Sequence, residues 1–252
     1  MLEITPLNGA LGARIDNIDL SKPLDETTAE AVKQAFHEHV ALLFRGQDLD
    51  APTQIAFTKH FGEAQEHPLK TRRTVEGYPS VLILENQPDK PGARNDYWHS
   101  DISHAECPPK GTILHSKVVP EGKGDTMICN MYAAWDSLSE GMQKMIGSLR
   151  AWHSAAATQR RNNLENNDGI EIKKIPDPCL HPVVRTNPET GRKALFVNPH
   201  FVTHFEGMTE AESKPLLDYL IAHSTQPENI YRHHWRAGDV LMWDNRATMH
   251  YA

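Results

Sequence analysis

The chain has 252 residues, of which 39% are hydrophobic and 23% charged, and its formal net charge at pH 7 is −7. It contains no apolar run long enough to cross a bilayer, and its basic residues are scattered, so membrane-spanning and nucleic-acid-binding roles are set aside. The amino terminus lacks the basic start and apolar stretch of a secretory signal, so we expect a cytoplasmic protein.

The first third of the chain mixes helix and strand. An Asp cap and apolar residues at four-residue steps predict a helix over residues 25–40. A buried strand at 41–44 follows directly, and the pattern then predicts a helix near 53–61 and a strand at 81–86. This part of the chain is therefore not purely β.

The pattern in the middle of the chain predicts two strands, at 112–119 and 126–131, joined by a Gly-rich turn. A helix follows them. One face of this helix carries a set of apolar residues that we expect in the core, the two methionines included: Leu138, Met142, Met145, Ile146 and Leu149.

The last part of the chain begins with a polar, Asn-rich segment. Residues 158–178 have few large apolar groups, and we expect them to form a mobile lid or loop. A turn at 187–191 joins two apolar runs as a hairpin, and a capping box at 209–212 starts a Leu-rich helix. Strands at 231–235 and 240–243 close the chain.

Many short strands, with helices mainly early and at insertions, predict one domain over residues 1–252. Its fold class is mainly β with flanking helices, built on a jelly roll. A doubly wound α/β fold is less favoured, because helices and strands do not alternate and no G-x-G-x-x-G motif opens a helix. Exposed edges of such sheets often pair, so we expect a homo-oligomer.

One histidine pattern indicates metal chemistry. With 15 His and 33 acidic residues, chance alone gives about two His-x-acid pairs, and the chain has three, so one pair decides little. If residues near 99 lie on a strand, His99 and Asp101 point to one face and can meet one ion. Two neutral imidazoles and a carboxylate bind iron in non-haem Fe(II) oxygenases. His250 is the best third candidate, because a jelly roll returns a distant strand, although an ordinary histidine is the favoured interpretation without a wider pattern.

Several motifs in order supply that wider pattern: ITPLNGALGARIDNIDLSKPL, WHSD, GDT, HPVVRTNPETGRKALFVN and GDVLMWDNRATMHYA. With them the chain resembles, nearly end to end, the taurine dioxygenase (TauD/TfdA) family of Fe(II)/2-oxoglutarate-dependent dioxygenases. The resemblance implies a double-stranded β-helix, Fe(II) as cofactor and 2-oxoglutarate as cosubstrate. Carried over residue by residue, it makes His99, Asp101 and His250 the metal ligands. It also implies that the Thr126 hydroxyl contacts the 2-oxoglutarate carboxylate.

The reaction that the resemblance implies is hydroxylation of a small anionic organic substrate by dioxygen, while 2-oxoglutarate yields succinate and carbon dioxide. Compared with sulfonate-specific members, this chain has small residues at 154–156 and Lys70 after its His-Pro pair. Small residues enlarge a pocket, so we expect an anion bulkier than taurine: a longer sulfonate, an alkyl sulfate or an aryloxy acid. Lys70, Arg72 or Arg73 could hold its charge.

The same comparison suggests three substrate-side residues, each with a structural alternative. His67 precedes a proline, Asn95 lies just before the metal motif, and Phe201 follows an Asn-Pro pair. As ordinary structural residues, His67 could cap a loop, Asn95 could form a turn, and Phe201 could belong to the core.

One departure from the family concerns an arginine shortly after the last histidine, which pairs with the distal carboxylate of 2-oxoglutarate. This sequence ends at Ala252, and we expect the C-terminal end of the domain to lie beyond it. Arg246 is too near His250 to be taken as a substitute, and a structural salt bridge is the favoured interpretation. Two other functions are open: a zinc hydrolase with the same triad, and a non-catalytic jelly-roll binding protein.

Overall fold

The computed structural model describes residues 2–67, 73–85, 95–120, 122–156 and 176–252, and in these ranges the chain is mainly β with flanking helices. The strands are β1 (Glu3–Pro6), β2 (Ala13–Asp16), β3 (Ala41–Phe44), β4 (Thr74–Val75), β5 (Tyr78–Leu82), β6 (Gly111–His115), β7 (Thr126–Asn130), β8 (Arg150–His153), β9 (Cys179–Pro182), β10 (Val184–Thr186), β11 (Lys193–Leu195), β12 (Val202–Phe205), β13 (Ile230–His233), β14 (Val240–Asp244) and β15 (Thr248–Tyr251). The helices are α1 (Glu26–His39), α2 (Ala51–Thr58), α3 (Met131–Asp136), α4 (Glu140–Ile146) and α5 (Glu210–Ser224).

Helix α1 forms where the sequence predicts it. The Asp25 side chain accepts a hydrogen bond from the backbone N–H of Thr28 at 2.8 Å, which caps the first turn. Val32 and Phe36, spaced four residues apart, are buried. The helix ends at Val40, whose φ of 70° is left-handed, and β3 follows at once.

The five-stranded sheet separates two hydrophobic cores. Its strand order is β1-β2-β3-β14-β6. Because successive side chains of a strand point to opposite faces, Leu42 and Phe44 of β3 join one core, whereas Leu43 joins the other. Phe36 of α1 and Phe57 of α2 belong to the first core, so these helices cover one face of the sheet. The other face turns towards the remaining strands.

A three-stranded sheet, of order β13-β7-β15, shares the second core. Its residue His250 turns towards the five-stranded sheet, where the ring of Trp243 lies 4.7 Å away. Cys129 faces the other way, and its thiol donates to the carbonyl of Ser224 in α5 at 2.9 Å. The space between the two sheets therefore receives side chains from both.

Some elements differ from the predictions. The single helix predicted after residue 131 is two helices, because Ser139 caps α4 by accepting from the N–H of Met142 at 3.3 Å. Met145 is 51% exposed, so the prediction that it belongs to the core is wrong. The strand predicted at 81–86 is β5, which ends at Leu82. Most of the predicted lid, residues 158–178, lies outside the described residues. In the described part of the chain, no helix combines the length and apolarity needed to span a membrane.

Candidate metal centre

Two histidines that are far apart in the sequence lie side by side between the sheets. His99 forms a single antiparallel β-bridge with His250 of β15, and each residue donates its N–H to the other's carbonyl, at 3.0 and 2.7 Å. Their ring centroids are 4.1 Å apart, and both residues are buried. The backbone bridge therefore fixes the spacing of the two imidazoles.

Asp101 completes a group of three. Its Oδ1 lies 3.7 Å from Nε2 of His99 and 3.6 Å from Nε2 of His250. Asp101 lies in a turn rather than in a strand, so the strand geometry considered for this pair is not what brings the carboxylate to His99. The turn includes Ile102 at a φ of 50°, which is uncommon for a β-branched residue. Such conformations persist only where the surrounding structure holds them.

The protonation of the three side chains is compatible with metal binding. Nδ1 of His99 lies 2.9 Å from the carbonyl of Tyr97, which can only accept, so Nδ1 carries a proton and Nε2 is the ring nitrogen that faces Asp101. Burial, followed by the neighbouring His99, lowers the pKa of His250 to about 3, so this imidazole is neutral at pH 7. Burial alone would raise the pKa of Asp101, but His250, His99 and the hydroxyl of Thr112 outweigh it and lower this pKa.

The donor set fits a divalent metal ion. The ligand atoms of His99, Asp101 and His250 lie within 4.8 Å of one another, and the described residues contain no second such group of His, Cys, Asp or Glu. The nitrogen-to-oxygen separations exceed hydrogen-bonding distance, so these atoms are not paired with each other. Two neutral imidazoles and one carboxylate form the ligand set that leaves open positions on Fe(II).

Thr126 lies on the same side of its sheet as His250. In the pairing of β7 with β15, Ile128 is opposite His250, and Thr126, two residues earlier, points to the same face. The Thr126 hydroxyl oxygen accepts a hydrogen bond from the indole Nε1 of Trp235 at 3.0 Å. Because an indole can only donate, the hydroxyl hydrogen of Thr126 can be donated to another acceptor. A carboxylate only accepts hydrogen bonds, so a hydroxyl that donates in this way can bind it.

Phe201, predicted for the substrate side, is buried and belongs to a wall of rings that reaches His99 through His200. Its ring centroid lies 4.4 Å from that of His200 and 4.8 Å from that of His104. His200 stacks on Tyr97 at 3.8 Å, and its ring is 6.0 Å from His99. The sequence interpretation missed His200 and Tyr97, because neither belongs to the ligand pattern. Their only signal was proximity in the chain to Phe201 and His99.

Asn95 and His67 are linked to the same wall. The Tyr97 hydroxyl donates to Oδ1 of Asn95 at 3.3 Å, and the carbonyl of Asn95 accepts from the N–H of Ala252 at 3.1 Å. Burial, followed by the nearby His67, lowers the pKa of His104 to about 4. Asn95 is thus hydrogen-bonded to the wall, His67 lies near it, and the roles of both residues in substrate binding stay predictions.

The small residues at 154–156 adjoin the wall of rings. The N–H of Ser154 donates to the carbonyl of Phe201 at 2.7 Å, and Ala155 is buried. His153 just before them is fully buried, with Nδ1 3.0 Å from the hydroxyl of Ser103, and burial lowers its pKa to about 3. His153 is therefore a neutral core residue. Ser154 contacts Phe201 through its backbone, and an effect of residues 154–156 on the size of the substrate pocket stays a prediction.

Of the three basic residues considered for the substrate charge, one lies in the described part of the chain. Arg73 forms an ion pair with Glu85 at the surface, where 67% of the arginine side chain is exposed. Such an exposed ion pair is weak, and a role for Arg73 in holding the substrate charge stays a prediction. Lys70 and Arg72 lie outside the described residues.

Arg246 is part of a structural ion-pair network, in agreement with the interpretation from the sequence. Its Nε and Nη2 contact the two carboxylate oxygens of Asp244 at 2.8 and 2.6 Å, and its Nη1 contacts Glu189. Lys110 adds an ion pair to Glu189 at 2.7 Å. Burial would raise the pKa of Glu189, but these two cations lower it to about 2. Three of the five N–H donors of Arg246 are thus engaged with Asp244 and Glu189, which supports a structural role for this residue.

Comparisons with known proteins identify the family of this chain. The model of the "Taurine catabolism dioxygenase TauD, TfdA family" matches residues 3–252. The chain is 37% identical to the alpha-ketoglutarate-dependent sulfate ester dioxygenase of Pseudomonas putida, over 100% of this chain and 84% of that protein. It is 35% identical to the alpha-ketoglutarate-dependent 2,4-dichlorophenoxyacetate dioxygenase of Cupriavidus pinatubonensis, over 97% and 90%. The crystal structure of AAD-2 in complex with Mn(II) and N-oxalylglycine superposes with a TM-score of 0.81 and 30% identity, covering 100% of this chain and 90% of that one. The chain that brings His99, Asp101 and His250 together thus belongs to the TauD, TfdA family of taurine catabolism dioxygenases.

Proposed function

We propose that this protein is an Fe(II)- and 2-oxoglutarate-dependent dioxygenase that hydroxylates a small anionic organic substrate, with conversion of 2-oxoglutarate to succinate and carbon dioxide. One observation carries the proposal: in a chain of the TauD, TfdA family, ligand atoms of His99, Asp101 and His250 lie within 4.8 Å of one another. This donor set favours Fe(II), since it leaves coordination positions for 2-oxoglutarate and dioxygen.

The residues of the site have separate tasks in this proposal. His99, Asp101 and His250 hold the metal, and bound Fe(II) supplies the activation of dioxygen at the expense of 2-oxoglutarate. Thr126 donates its hydroxyl hydrogen to a carboxylate of 2-oxoglutarate. Trp235 supports this task, because its indole N–H bonds the hydroxyl oxygen and leaves the hydrogen to the cosubstrate.

The substrate binds, in this proposal, against His67, Asn95 and Phe201, with His200 as a further contact. The ring of His200 offers a surface for the organic part of the substrate, and its distance of 6.0 Å from the ring of His99 supports this assignment; Phe201 packs against it. Small side chains at 154–156 leave room for an anion larger than taurine. Relatives that act on sulfate esters and 2,4-dichlorophenoxyacetate favour an alkyl sulfate or an aryloxy acid over a sulfonate.

The fold proposed for this site is the double-stranded β-helix, or jelly roll, in a single domain. The two sheets that face each other across Trp243 and His250 support this description, as does the family match. A cytoplasmic location and a homo-oligomeric state stay predictions.

Succinate formation tests the proposed function. The protein is loaded anaerobically with Fe(II) and 2-oxoglutarate, exposed to dioxygen with a candidate anion, and assayed for succinate. We expect succinate only when Fe(II), 2-oxoglutarate, dioxygen and a suitable substrate are all present, and a screen of alkyl sulfates, aryloxyacetates and taurine identifies the substrate. Cleavage of the anion by the zinc form without dioxygen or 2-oxoglutarate would instead identify a hydrolase. Substrate binding without any turnover would identify a binding protein.

A further inference from the structure

The carboxylate of Asp101 has one oxygen that does not face the histidines. Its Oδ1 lies nearest to His99 and His250, whereas its Oδ2 accepts a hydrogen bond from the hydroxyl of Thr112 at 2.6 Å. Thr112 lies on β6 directly opposite Trp243 of β14, so their side chains share a sheet face and point between the two sheets. The five-stranded sheet therefore reaches the candidate metal centre through Thr112.

Trp243 sets the direction of the hydrogen bonds that lead to Asp101. Its indole Nε1 donates to Oδ1 of Asn245 at 3.1 Å, which turns the amide Nδ2 towards the hydroxyl of Thr112 at 2.8 Å. An indole and an amide nitrogen can only donate. Thr112 must therefore accept from Asn245, and its single hydroxyl hydrogen is directed to Oδ2 of Asp101. The backbone N–H of Asp101 also contacts Oδ1 of Asn245, at 3.4 Å.

We propose that Thr112 is a positioning residue, which holds the Asp101 carboxylate so that a single oxygen, Oδ1, faces the metal. This inference rests on the proposed function. A carboxylate that turned both oxygens to the ion would take a coordination position that 2-oxoglutarate or dioxygen needs. Hydrogen bonds from residues behind the ligands also strengthen metal binding, and losing one typically costs roughly ten- to a hundredfold in affinity.

A purely structural role for Thr112 predicts a different outcome. The hydroxyl would then only satisfy polar atoms between the sheets, and its loss would lower stability without a specific effect on the metal. Metal affinity and the melting temperature of the metal-free protein must therefore be measured on the same variants.

The experiment compares Thr112→Val, which keeps the shape but removes the hydroxyl, with Thr112→Ser, which keeps the hydroxyl. Thr225→Val is the matched control, because Thr225 is also half-buried and its hydroxyl donates to the carbonyl of Ile221 in α5 at 2.9 Å. The dissociation constant of Mn(II) alone is measured from the free-ion electron paramagnetic resonance signal. We expect Thr112→Val to raise it roughly ten- to a hundredfold, while Thr112→Ser and Thr225→Val match the wild type. The melting temperature of each metal-free variant is measured alongside, because the Thr112 hydroxyl also bonds Asn245 and its loss lowers stability; a lower melting temperature with unchanged Mn(II) affinity would indicate a purely structural role.

The outcomes separate this inference from the proposed function. If Thr112→Val binds Mn(II) as tightly as the wild type, this inference is overturned and the proposed function is not. The same holds if Thr112→Ser binds Mn(II) as weakly as Thr112→Val. If the wild-type chain itself binds no Mn(II), the proposed function fails, and the inference fails with it.

Discussion

Replacing Trp235 with Phe should weaken 2-oxoglutarate binding while leaving the metal ligands intact. The indole Nε1 donates to Thr126 at 3.0 Å, and phenylalanine keeps an aromatic ring next to His233 but has no donor. The Thr126 hydroxyl then loses the bond that directs its hydrogen to the cosubstrate. One neutral hydrogen bond contributes about 1 kcal/mol, so the dissociation constant of 2-oxoglutarate should rise about fivefold. Thr126→Val removes the bond to a charged carboxylate, which is worth about 1.5 to 3 kcal/mol, or roughly 10- to 150-fold.

The assay is an anaerobic titration of the Fe(II)-loaded protein with 2-oxoglutarate, followed by the visible absorption band of the complex. Because Trp235 acts through Thr126, the double variant should bind no more weakly than Thr126→Val alone, which gives a coupling energy of about 1 kcal/mol. The affinity for Mn(II) alone should not change in any of the variants. If the losses in binding free energy of the two single variants add up in the double variant, the link between Trp235 and Thr126 is refuted. An unchanged dissociation constant of 2-oxoglutarate in Thr126→Val would refute the contact of Thr126 with 2-oxoglutarate.

Three further predictions concern the ligands, the substrate side and stability. His99→Ala and Asp101→Ala should each abolish the absorption band of the Fe(II) and 2-oxoglutarate complex, and a band of normal intensity would contradict the ligand assignment. His200→Phe keeps the stack on Tyr97 but removes the ring nitrogens. The KM for the anionic substrate should therefore rise about tenfold, while the affinity for Mn(II) stays unchanged. An unchanged KM would exclude His200 from substrate binding. Glu189→Gln should lower the free energy of unfolding at pH 7 by about 1 kcal/mol. Because its folded pKa of about 2 lies below the ordinary 4.5, this difference is complete above pH 4.5 and is lost as the pH falls towards 2, which urea titrations at pH 7 and 3 can measure.

Elements with local signals were the ones that the sequence could predict. The Asp25 cap, the capping box of Thr209 with Glu212, and the turn that joins β10 to β11 all depend on residues a few positions apart. The helix after residue 131 was predicted wrongly because a continuous apolar periodicity hid the cap at Ser139. Periodicity reports which face is apolar, and it does not report where a side chain takes over the N–H groups of a new helix.

The candidate ligands were accessible from the sequence, but the geometry that joins them was not. His99 and Asp101 formed one of three His-x-acid pairs, and the motif match singled out this pair and His250, yet the β-bridge between the two histidines spans most of the chain. The hydrogen bond from Thr112 to Asp101 joins a β-strand to a turn, and that from the backbone N–H of Asp101 to Asn245 crosses 144 positions. Threonine and asparagine are common polar residues, so no composition or period marks them as partners of a ligand.

The position of the candidate centre between the sheets explains why its supporting residues come from both of them. β15 supplies His250 and is bridged to His99, which sets the imidazoles from one side. β14 and β6 supply Trp243 and Thr112, which set the carboxylate from the other side. The donor set is thus supported from both sheets, and a metal ion would bind between them. An ion that binds only the folded chain adds to its stability, by about 2.7 kcal/mol at a concentration one hundred times its dissociation constant. Because the ion needs both sheets at their folded separation, that gain should oppose any motion that parts them.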